Sequence, residues 1–140
     1  MRKYVVACSA LVLGLAVSVG ALMAHHSFTA EFDGSQRVEL TGIVTKVEWT
    51  NPHVWFYFNV TDPETGEVTN WGAEMGPPHL LQRSGWRRDA LQIGMEVAVG
   101  DAALARNGSK RVNARTVTLT ATGGRPGQTL DAASSEGTTP

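Results

Sequence analysis

The sequence predicts an all-β domain with one short helix, and three observations carry that expectation. Runs rich in β-branched and aromatic residues recur along the chain, most clearly at 38–49, 53–60 and 111–120. Turn signals separate them: Asn51-Pro52, "DPETG" at 62–66 and Asn107-Gly108. One run, "HVWFYFNV", alternates with a period of two. Val54, Phe56, Phe58 and Val60 face a core, while His53, Trp55, Tyr57 and Asn59 face outward.

The first strand is read over Val38 to Trp49, "VELTGIVTKVEW", with Gly42 marking a bulge or sharp bend. "HVWFYFNV" is the second strand, and the "DPETG" hairpin leads to the third, "EVTNWGAEM". Trp71, Ala73 and Met75 share one face of it, which leaves Glu74 on the other. Glu48 and Glu74 therefore read as solvated carboxylates on the barrel surface. Pro77 and Pro78 open a short helix, "HLLQRSGW", because proline is best tolerated in a first helical turn. "LQIGMEVAVGDAAL" is the fourth strand, "RNGSK" a tight turn, and "RVNARTVTLT" the fifth. Three strands, a helix and two strands is the order of a five-stranded OB-fold barrel.

The ends of the chain have other assignments. Arg2 and Lys3 precede an uncharged apolar run from Tyr4 to Ala24, the pattern of a secretory signal peptide over 1–24. That places the protein in the periplasm with no membrane span after cleavage. Residues 25–37 read as an N-terminal arm and 38–122 as the barrel. The Gly-, Ser- and Thr-rich tail 123–140 reads as disordered.

Composition removes several functions. The one cysteine, Cys8, lies within the export segment, so the mature chain has no disulfide, thiolate nucleophile or cysteine-held metal. HExxH, CxxC, EF-hand and GxSxG patterns are absent from the sequence, and no reading as an enzyme follows. The chain carries a net charge of -1 before the basic n-region is removed, which argues against nucleic acid as a partner.

Two candidate sites remain. His53, Trp55 and Tyr57 form an aromatic face with polar tips, suited to a small ligand or a periplasmic protein. Trp71, Trp86 and nearby basic residues lie at its margin. His25 and His26 follow the export segment directly. A new terminal amine beside those imidazoles makes a nitrogen-rich set that suits copper(II), with His53 as a further ligand. Met75 and Met95 read as core residues, and His79 as a helix-start residue.

The stretches "AHHSFTAEFD", "LTGIVTKVEWTNPHVWFYFNV", "WGAEMGPPHLLQRSGWRRDALQIGMEVAV" and "ARNGSKRVNARTVTL" together resemble an exported bacterial family of unknown function, family 6152. The resemblance implies a small secreted β-barrel domain and carries no activity or cofactor with it. The expectation is thus a non-enzymatic exported binding or interaction protein, with periplasmic copper(II) binding as the alternative.

Overall fold

A computed structural model describes residues 28–121 and 126–136. Within them the protein is all-β apart from a helical turn at 28–31 and one short helix. The strands are β1 (Phe32–Glu48), β2 (Trp55–Thr61), β3 (Val68–Glu74), β4 (Glu96–Ala105), β5 (Arg111–Asn113), β6 (Thr116–Leu119) and β7 (Gln128–Asp131). Helix α1 (Pro78–Arg83) lies between β3 and β4. Pro78 opens it without a side-chain cap, as a residue with no amide hydrogen to satisfy can.

The long β1 organises the sheet. Its first part pairs antiparallel with β4, from Phe32↔Ala105 to Ile43↔Glu96, and its last part pairs antiparallel with β2, from Ile43↔Asn59 to Glu48↔Trp55. β2 pairs with β3, β3 runs parallel to β5, and β5 pairs back to β4. The pairings therefore close a ring of five strands, and β6 and β7 extend from β4.

β1 can serve two neighbours because its register shifts between Asp33 and Arg37, between Val38 and Leu40, and again between Val44 and Lys46. Gly42 was expected to be the irregular point. It is paired in register with Val97, and a side chain there would meet the Asn59 carbonyl at 2.3 Å. Glycine is required at Gly42 by close approach of β2, and the bends flank it.

The alternation of β2 builds the interior. Val54, Phe56 and Phe58 are fully buried together with Ala73, Met75, Val97, Val99, Val112 and Val117, and α1 adds Leu81. Met95 packs against this core, in line with its reading as a core residue. Trp86 belongs to it as well, 3% exposed, with its indole N–H donating to the Asp131 carbonyl at 2.8 Å. The sequence had set Trp86 at the margin of a contact surface. Its ring instead fills the space between α1 and β7, where the one polar atom finds a backbone acceptor.

Two boundaries also move. The arm expected over 25–37 is already strand from Phe32, because pairing with β4 orders residues whose own pattern carries no alternation. The tail expected to lack order from about Gly123 supplies β7 instead. β7 pairs with β6 from Thr116↔Asp131 to Leu119↔Gln128. Beyond it the Ala132 carbonyl accepts from the Gly76 amide, and Glu136 forms ion pairs with Arg37 and Arg115. The expected export segment, with His25 and His26, lies outside the described residues.

Candidate functional site

Cross-strand partners in a sheet point to the same side. Trp55↔Glu74, Tyr57↔Gly72, Gly72↔Arg111, Glu74↔Asn113 and Ala103↔Asn113 therefore place these residues together on the outer face of β2, β3, β5 and β4. The interior residues Phe56, Phe58, Ala73 and Val112 occupy the opposite side.

Trp55 and Tyr57 stack with ring centroids 6.5 Å apart. The room for them comes from Gly72. A β-carbon there would stand 3.2 Å from the Tyr57 ring and 3.6 Å from that of Trp55, so the missing side chain is the floor on which the aromatic pair rests. Cations sit over both rings, Arg111 at 5.6 Å from Trp55 and Lys46 at 5.2 Å from Tyr57. The Tyr57 hydroxyl donates to Glu48 Oε2 at 3.3 Å.

Trp55 has a second role. Phe28 and Phe32 stack at 5.9 Å and, with Ala103, make a small buried cluster outside the ring, against which Trp55 packs. The N-terminal segment thus lies on this face and covers part of it.

That cover explains Glu74. The sequence placed it with Glu48 on a solvated surface, yet Glu74 is 4% exposed while Glu48 stays partly open. Asn113, itself buried, donates through Nδ2 to Glu74 Oε1 at 3.2 Å and to the Ser135 hydroxyl at 3.1 Å. The Ser134 hydroxyl in turn donates to Asn113 Oδ1 at 2.5 Å. His53, immediately before β2, brings Nδ1 to 3.1 Å from Glu74 Oε1.

Burial pushes the Glu74 carboxyl up to about 7. The negative charge of Glu31 pushes the same way, and Asn113, Ser135 and Arg111 oppose it. Burial also lowers the His53 imidazole below its ordinary value, against the pull of Glu31. Both groups favour their neutral forms because the site is short of water.

The model of a family of unknown function, DUF6152, matches residues 12–114. The chain belongs to DUF6152. No curated protein and no solved structure matches it. The DUF6152 match begins within the run read as an export segment and ends just after Asn113, so β6 and β7 lie beyond it.

In this DUF6152 domain the sequence-predicted trio His53, Trp55 and Tyr57 is brought together on one face. Trp71 packs against the core beneath Lys110, whose ammonium lies 5.2 Å from the ring centroid. His79 is exposed on α1. Sequence reasoning missed Glu74 as a buried group, and it missed Asn113 and Phe28 altogether.

A cleft of about 340 Å³, lined in part by Glu31, Phe32, Arg106, Ser109 and Arg111, shares with the aromatic pair the Arg111 side chain that sits over Trp55. The Ser109 hydroxyl is buried there with no hydrogen-bond partner among the described residues. A second cleft of similar size shares Arg106 and Ser109 and adds Trp71 and Lys110. Among the described residues no helix is long and apolar enough to cross a membrane.

Proposed function

We propose that the protein is an exported, non-enzymatic binding domain of OB type, acting in the periplasm through the outer face of β2, β3 and β5. The OB reading is supported by the closed order of pairings, the parallel β3–β5 contact and the helix between β3 and β4. The observation that carries the functional reading is the stacked Trp55–Tyr57 pair, seated over Gly72 and topped by Arg111. Aromatic rings with an adjacent guanidinium are strong anchors for planar or anionic groups. The clefts carrying Arg106 and Lys110 continue that chemistry toward the β4–β5 turn.

Tyr57 and Arg111 are the residues to test, because Trp55 also supports Phe28 and Phe32. The experiment is native mass spectrometry of the protein recovered from the periplasm, wild type beside Tyr57→Ala and Arg111→Ala. The expected result is a retained ligand or partner mass that both substitutions remove while the thermal melt is kept. Retention of the same mass by both variants would move the contact surface elsewhere.

A further inference from the structure

At the end of the ring beside the β4–β5 turn, the second cleft, of about 340 Å³, has a floor and a rim of different chemistry. Trp71 and Leu104 make the floor. Trp71 is the cross-strand partner of Phe58, and Leu104 that of Val112, so both point to the interior side. Both pack on the core and stay only partly buried. Asp33 is paired with Leu104 and stands on that same side. With Gln36, Arg106, Ser109 and Lys110 it forms the rim. An apolar floor at a barrel mouth, with a few convergent polar groups, is how small-ligand sites of roughly 300–1,000 Å³ are built.

The rim decides the ligand. Asp33, Gln36 and Arg106 carry planar groups with paired donors or acceptors, a shape that takes two neighbouring hydroxyls at once. Asp33 is held in place, its Oδ1 accepting from the Ser35 amide at 3.0 Å and its Oδ2 from Gln36 Nε2 at 3.1 Å. Arg106 is fixed by donating from Nε to the Thr29 carbonyl at 2.8 Å. Lys110 keeps its ammonium 5.2 Å from the Trp71 ring centroid, and no carboxylate among the described residues pairs with it. Ser109 Oγ is buried without a partner, a cost that a ligand oxygen would remove. An indole face is a large apolar surface, which suits the C–H face of a sugar ring.

We propose that this cleft binds an acidic sugar. The ring lies on Trp71, its hydroxyls bond to Asp33, Gln36 and Ser109, and its carboxylate pairs with Lys110 and Arg106. This site is separate from the Trp55–Tyr57 contact surface and does not depend on it.

The test is isothermal titration of the protein purified from periplasm with three probes: a uronate tetrasaccharide, its carboxyl-reduced neutral counterpart and a tetraglutamate peptide. Amide and indole correlation spectra of the same mixtures locate the contact. The expected result is saturable binding of the uronate, at least tenfold tighter than of the neutral sugar or the peptide, with shifts concentrated at Asp33, Gln36, Trp71 and 104–110. Lys110→Gln should lower the uronate affinity to that of the neutral sugar. Asp33→Asn should weaken both sugars, and Tyr57→Ala neither. No binding of the uronate, tighter binding of the peptide, or a charge preference that survives in Lys110→Gln would overturn the proposal. Loss of binding in Tyr57→Ala, with shifts at Trp55, would move the sugar to the outer face and overturn it equally. The wild-type spectra carry the decision should a variant not fold.

Discussion

At the scale of single residues, Glu74 sets the pH response of the fold. Its carboxyl is raised to about 7 in the folded chain, against 4.5 ordinarily. As pH rises through that window the unfolded chain releases a proton that the folded chain keeps, so stability falls, by roughly 3 kcal/mol in all. His53 works in the opposite direction. Its folded value is lowered, so its contribution is present above 6.5 and is lost as pH falls through the folded value. Glu74→Gln separates the two effects. It should melt above the wild type at about pH 8 and lose the decline between pH 4.5 and 7. A Glu74→Gln profile with the same slope as the wild type between pH 4.5 and 7 would refute the assignment. Gly72 offers a second check at this scale. Gly72→Val should displace the Trp55–Tyr57 stack, read as loss of near-ultraviolet dichroism while the far-ultraviolet spectrum persists.

The elements differ in how far they could be read from the sequence. β2 was legible because one of its faces is the core, which forces strict alternation on residues 54–60. α1 was legible from its prolines. β7 was not, since "QTLD" buries almost nothing of itself. Its order comes from the ladder to β6 and from the Trp86 indole bonded to Asp131, contacts that a local pattern cannot announce. Trp86→Phe should therefore cost about 1–2 kcal/mol. Amide exchange should quicken first in Gln128–Asp131, and uniform quickening throughout the domain would contradict this. Glu74 was misread for a related reason. Alternation correctly turned it outward, but the segments that cover it are distant in sequence, 28–32 before it and 132–136 after it. The spacing of His53 from Trp55 and Tyr57 was enough to place those three on one side.

For the whole molecule, stability rests on two apolar clusters of unequal size. The large one fills the ring, and the small one around Phe28 and Phe32 glues the N-terminal segment to its outside. Phe28→Ala should cost roughly 3 kcal/mol and leave the ring core folded, seen as increased Trp55 solvent exposure in fluorescence quenching. A fully unfolded variant would mean that the two clusters are one cooperative unit. The membership in DUF6152 and the all-β class were both within reach of the sequence. The coupling of the ends of the domain was not.

A β-carbon at Gly34 would stand 2.9 Å from Glu136 Oε1 and 3.7 Å from the Phe28 ring. The first and last described segments of the domain thus meet on one side. A short peptide joining them, with a new opening cut in the exposed turn at 62–66, should give a circular permutant that keeps every pairing of the ring. An affinity handle inserted beside Phe28, by contrast, would crowd the face proposed for binding. The turn at 62–66 is the better place to attach a label or a surface.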